Sequence, residues 1–205
     1  MPIIFLIRHG ENEYVKEGRL AGRTPNVHLN QTGTQQADQL ARYFSNIKIR
    51  AVYSSPLERT IETAQPIAAA LNLTIQIRDG LNEVDFGDWQ GKTLKSLRRR
   101  KLWNIVQSAP SQARFPGGES FSEAQLRIVN EIGNICSKHK PKDQIICISH
   151  SDMIKLLVAY YIGLPVDYFQ KLFISPGSIS AMYFAEMGGK LVTLNSSLSQ
   201  PINSI

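Results

Sequence analysis

Residues 3–7, Ile-Ile-Phe-Leu-Ile, form an unbroken apolar run that stops at Arg8-His9-Gly10-Glu11. A strand exposed on one face alternates apolar with polar residues, so this run predicts a strand covered on both faces, the mark of a parallel sheet. Similar runs occur at Ile145–Ser149 and Ala51–Tyr53, and Leu73–Ile77 reads as a further strand. Helical spacing fills the gaps. Ala37, Leu40, Ala41 and Phe44 share one face of a helix over 33–44, behind a capping box of Thr32 and Gln35. Ser55-Pro56-Leu57-Glu58 predicts another helix start, with Ser55 as cap, running to about Leu71 and kinked or divided by Pro66. Further helices are expected from near Leu94, over Phe121–Lys138 and over Asp152–Ile162, before a hairpin of Ser178–Ala185 and Lys190–Leu194 across Gly188-Gly189. The expected fold class is α/β: a three-layer α/β/α sandwich with a mostly parallel central sheet and helices on both faces. One domain is expected over 1–194, with 88–119 covering the site and 195–205 a loose tail.

A chain of 205 residues buries a full core without staples. Cys136 and Cys147 lack disulfide-framework or metal-ligand spacing, so reduced thiols in the cytoplasm are expected. The longest apolar stretch, Leu156–Val166, is broken by Gly163 and Pro165, too short for a membrane span. The first residues carry no basic segment before the strand run, so no signal peptide is expected. A net charge of +6 suits an anionic partner, without distinguishing nucleic acid from a phosphorylated metabolite.

Ligands of such sheets bind beyond the carboxyl ends of the strands. The first strand ends in Arg8-His9-Gly10-Glu11, the second leads through Ser54-Ser55 to Arg59, and the fourth ends in Ser149-His150-Ser151. If these strands are parallel neighbours, two histidines and two arginines converge on one edge. Guanidinium forks match phosphate oxygens, and the helix after His150 adds backbone donors. A histidine among such charge is held neutral and can attack phosphorus.

The segments Arg8-His9-Gly10-Glu11, Leu29-x-x-x-Gly33, Ser54-Ser55-Pro56-Leu57-x-Arg59, Glu83-x-x-Phe86-Gly87-x-Trp89-x-Gly91 and Ser149-His150 appear in order. Together they resemble the histidine phosphatase superfamily, the phosphoglycerate mutase-like fold, in its phosphatase branch. The resemblance implies that His9 accepts the phosphoryl group as a phosphohistidine, and that Arg8, Arg59 and His150 hold its oxygens. It implies that Glu83 protonates the leaving oxygen and then deprotonates water, with Asp85 and Asp88 as fallback acids. No metal and no cofactor are expected, because four cationic groups stand where a metal pair would act. Val15 occupies a position that is often Asn in the family, and Ser151 one that is usually Gly. Asn12 and Arg23 are expected to replace the missing donor, with Ser151 also binding substrate.

The expected function is hydrolysis of a small phosphomonoester. A mutase of the phosphoglycerate type is the alternative, favoured less because the connection from Gly91 to Glu119 is short, and a non-catalytic phospholigand-binding module is the third reading. The leaving group reads equally as a sugar acid, a nucleoside such as a cobalamin-pathway intermediate, or an amino acid, facing Trp89, Lys92, Trp103, Arg114 and Phe115. The partner is a small phosphorylated metabolite, with no nucleic acid and no membrane, and a homodimer is admitted. Arg98-Arg99-Arg100-Lys101 reads as a solvated face. Gly87 to Thr93 fails as a phosphate loop, having three residues between its glycines where four are needed. His28 and His139 read as surface residues.

Overall fold

The apolar run becomes β1 (Ile3–Arg8), third from one edge of a six-stranded sheet. The computed structural model describes residues 2–185 and 188–198. The other strands are β2 (Ile49–Ser54), β3 (Ile75–Ile77), β4 (Gln144–Ser149), β5 (Ile179–Ala185) and β6 (Gly188–Ser196), in the order β3-β2-β4-β1-β5-β6. The first four strands of that order run parallel, and β5 and β6 close the edge antiparallel.

Both faces of β1 are covered, which is why its sequence never alternates. Ile4 and Leu6 join a core with Phe121, Ile128 and Leu157, whereas Ile7 joins another with Leu40, Phe44 and Ile67. The first core is roofed by α6 (Phe121–Cys136) and α7 (Ser151–Tyr161), the second by α2 (Gln31–Phe44) and α3 (Glu58–Leu71). The chain also forms short helices, α1 (Glu13–Lys16), α4 (Leu94–Leu97) and α5 (Lys101–Ser108). The result is the α/β/α sandwich with a mostly parallel sheet.

Local boundaries differ from expectation for identifiable reasons. Asn30 caps α2, its Oδ1 accepting from Gly33 N at 2.9 Å, so the helix begins at Gln31 without a Thr32 cap. The α3 helix begins at Glu58, because Ser55 is engaged elsewhere. Pro66 neither ends nor divides α3, which runs unbroken with Ala64, Ile67 and Ala68 buried on either side of it. The basic segment after Leu94 is two short helices rather than one, with Arg98–Lys101 exposed at their junction. Strand β6 runs to Ser196, so residues 195 and 196 belong to the sheet, and the rest of the expected tail from residue 199 lies outside the described residues. His139 is not a surface residue: its side chain is 9% exposed and its Nε2 pairs with the Tyr53 hydroxyl at 2.9 Å. Cys136 and Cys147 are free thiols, and burial pushes Cys136 up to about 11. Among the described residues no helix is long and apolar enough to cross a membrane.

Candidate active site

Strand pairing builds the centre. In the parallel ladder Arg8 stands opposite Ser149, and His9 N donates to Ser149 O at 3.0 Å, so the residues that follow leave two adjacent strands side by side. The His9 and His150 rings meet edge to face with centroids 5.3 Å apart, both almost wholly buried. The turn after β1 is held close to α2, where a Cβ on Gly10 would lie 2.6 Å from Gly33 O and one on Gly33 would lie 2.1 Å from Glu11 O. Both glycines are therefore required by close backbone approach. Thr63 of α3 accepts from Gly10 N at 3.0 Å and fixes the same turn from the other side.

Hydrogen bonds define the imidazoles. A carbonyl only accepts, so the 2.7 Å contact between His9 Nδ1 and Gly10 O places the proton on Nδ1 and leaves a lone pair on Nε2. Arg59 Nε points at that Nε2 from 3.3 Å, and Arg59 Nη2 lies 3.4 Å from His150 Nδ1. On its other side His150 Nε2 bonds to the Ser55 hydroxyl at 2.9 Å. Burial first, and then the charges of Arg59 and its neighbours, hold both histidines well below the ordinary histidine range. The centre thus contains two neutral imidazoles and two guanidinium cations rather than four cations.

Arg59 is buried and Arg8 half-buried, with Arg59 lowered to about 10 by desolvation yet still charged at neutral pH. One arm of each is anchored, Arg8 Nη1 on Ile174 O and Arg59 Nη2 on Gly22 O, both at 2.6 Å. Other donors are left over. Among the described residues the buried side-chain polar atoms without a hydrogen-bond partner are Arg8 Nε, Asn12 Nδ2, Arg59 Nη1 and Glu58 Oε2. Three of those four are donors on residues singled out from the sequence. Buried polar groups are nearly always satisfied, so unpaired donors on site residues mark a place prepared for an anion.

Glu83 lies beside His150, its Oε2 3.8 Å from His150 Nδ1. Desolvation, followed by the charge of Asp152, pushes its carboxyl up to about 7 against the opposing pull of Arg59, the Val84 N–H and Arg8. The fallback acids are placed differently: Asp85 accepts from Gly87 N at 3.0 Å and faces Arg23, and Asp88 is exposed. Arg23 does not reach the centre with a free fork. Its Nε donates to Glu83 O at 2.9 Å and its Nη2 to Glu119 at 3.1 Å, so it braces the loop that carries Glu83. Ser151 opens α7 directly after His150, its side chain half-buried, and Asn12 is fully buried, its Oδ1 capping α1 through Val15 N.

Two residues of this site were not visible in the sequence. Arg127 of α6 donates to the carbonyls of Gly80, Asn82 and Glu83 at 2.8 to 3.2 Å and to Glu119 at 2.7 Å. Arg127 and Glu119 therefore pin the Glu83 loop from behind. Their pairing has no local signal, because Glu119 precedes α6 and Arg127 lies eight residues further on, beyond the three- or four-residue spacing of helical ion pairs. Among the described residues no cluster of three or more His, Cys, Asp or Glu side chains could hold a metal ion.

The family model described as "Histidine phosphatase superfamily (branch 1)" matches residues 4–197. "Phosphoserine phosphatase 1" of Hydrogenobacter thermophilus is 27% identical over 197 residues, covering 95% of this chain and 92% of that protein. "Adenosylcobalamin/alpha-ribazole phosphatase" of Escherichia coli is 29% identical over 195 residues, covering 94% and 95%. The crystal structure of a phosphoserine phosphatase from Entamoeba histolytica in complex with 3-phosphoglyceric acid superposes with a TM-score of 0.88 at 27% identity, covering 97% of this chain and 98% of that one.

Proposed function

Because this chain belongs to the histidine phosphatase superfamily and acts on small phosphomonoesters through a catalytic histidine, we propose that His9 is that histidine and that water is the final phosphoryl acceptor. The observation that carries the assignment is the set of unpaired buried donors on Arg8, Arg59 and Asn12, together with a His9 Nε2 that bears a lone pair and has Arg59 Nε 3.3 Å away. In the first step Nε2 forms a bond to phosphorus as the bond from phosphorus to the alcohol oxygen breaks, and Glu83 gives its proton to that oxygen. In the second, Glu83 takes a proton from water, the hydroxide attacks phosphorus, and the bond to His9 breaks to release inorganic phosphate. Arg8, Arg59 and His150 hold the equatorial oxygens throughout, and Ser151 adds a backbone donor. Removing one such donor typically costs about a hundredfold to a thousandfold in rate. The two guanidiniums stand where many phosphoryl-transfer enzymes use metal ions, so no metal is required.

Water as acceptor is supported by the short connection from Gly91 to Glu119. The same reading treats residues 1–194 as one domain, with 88–119 as its cover, working in the cytoplasm. The test is hydrolysis of p-nitrophenyl phosphate in EDTA, wild type beside His9→Ala, with denaturing capture of phosphoenzyme. Metal-free release of inorganic phosphate that disappears with His9 is expected. Variant activity within about tenfold of wild type would overturn the assignment, and an isomerised ester in place of inorganic phosphate would make the enzyme a mutase.

A further inference from the structure

The cavity beside the site holds about 230 Å³ and is walled in part by aromatic side chains, among them Phe86, Trp89, Trp103 and Phe115. Its charged lining residues are Asp152 and Lys155, neighbours on α7 joined by a 3.2 Å ion pair. Asp152 follows His150 by two residues, and its charge is felt by both Arg8 and Glu83. In the first turn of α7, which opens directly after His150, the carboxylate thus lies near enough to the centre for its charge to reach both residues.

A carboxylate in an aromatic-walled cavity is the chemistry that holds a cationic nitrogen, since ring faces attract cations and a carboxylate supplies the countercharge. The structure puts a cation of the protein's own in that place. Lys155 is only 15% exposed, and its ammonium covers the Asp152 carboxylate as a substrate ammonium would. We propose that Asp152, with the aromatic wall, is a specificity-determining residue that selects phosphomonoesters whose alcohol carries a cationic nitrogen on a short linker, displacing Lys155 from the ion pair. This inference rests on the phosphatase reading above and extends it to the leaving group. A purely anionic or neutral leaving group would leave Lys155 in place and gain nothing from Asp152.

The test uses two ester pairs alike in shape and different in charge: phosphoethanolamine against propyl phosphate, and phosphocholine against 3,3-dimethylbutyl phosphate. In the wild type kcat/KM is expected to favour the cationic member by about tenfold or more. Asp152→Asn should bring both ratios towards one. Lys155→Met, which removes the internal competitor, should raise them several-fold, a gain that loss of a merely structural ion pair would not produce. Wild-type ratios near one, or ratios unmoved in both variants, would overturn the proposal. Equal slowing of all four esters by Asp152→Asn would also overturn it, leaving Asp152 only an influence on the Glu83 proton. Failure to hydrolyse any of these esters or p-nitrophenyl phosphate would instead count against the phosphatase reading, and the same ratios would then be taken from dissociation constants.

Discussion

A carboxyl kept ready as an acid near neutral pH costs the folded protein stability, and Glu83→Gln measures how much. In the unfolded chain Glu83 ionises at its ordinary value of 4.5, whereas in the fold it ionises at about 7. Between those values the unfolded state binds fewer protons than the folded state, so wild-type stability falls as pH rises from 4.5 to about 7 and then levels off. Each pH unit in that window is worth about 1.4 kcal/mol, which sets a ceiling of about 3 kcal/mol. Glu83→Gln is isosteric and lacks the proton, so its stability relative to wild type should rise by about 2 to 3 kcal/mol between pH 5 and pH 8.5. The depressed histidines His9 and His150 act in the opposite sense, weakening the fold as pH falls through the ordinary histidine range. They are present in both proteins, so they cancel in the difference. The assay is urea unfolding of both proteins across that pH range, supported by melting temperatures, where the gap should widen by about 5 to 10 °C for a chain of this size. A difference that stays flat within about 0.5 kcal/mol would refute the burial account of Glu83, and with it the reason for making Glu83 the acid.

Two other outcomes follow from the same geometry. Once corrected for the ester's own ionisation, kcat/KM on an alkyl phosphate should fall about tenfold per pH unit above pH 7 as Glu83 loses its proton, yet hold down to pH 6 because His9 stays neutral; a p-nitrophenyl ester, with its better leaving group, should fall less steeply. Helix propensity alone makes Gly33→Ala stabilising by about 1 kcal/mol, but the 2.1 Å approach of its Cβ to Glu11 O should reverse the sign to a loss of about 1 to 3 kcal/mol in urea unfolding.

Different parts of this protein were unequally legible in its sequence. The sheet could be read because a strand buried on both faces leaves an uninterrupted apolar signature, and Ile3–Ile7 and Ile145–Ile148 both carry it. Arg8, His9, Arg59 and His150 stood out because chemistry-bearing side chains directly follow such runs, and the fold brings them together. Side chains that choose between partners were harder. Ser55 looks like a helix cap, but its hydroxyl pairs with His150; Arg23 looks like a phosphate ligand, but carboxylates and a carbonyl capture its guanidinium. Arg127 and Glu119 were invisible, since nothing local distinguishes an arginine that braces a distant loop from one facing solvent. Helix starts moved for a similar reason, with Asn30 offering a better cap than Thr32 only because Glu11 is there to accept from its amide at 2.9 Å.

The pairing of β1 with β4 has a kinetic meaning as well as a geometric one. His9 and His150 lie far apart in the sequence, and the β1–β4 ladder brings them to ring contact. Helices α2 and α3 can form from local signals, but the centre cannot, because closing so long a loop is entropically slow and gains nothing until the strands meet. Recovered turnover is therefore a clock for that long-range pairing, and a chain with native helix content can still be catalytically silent.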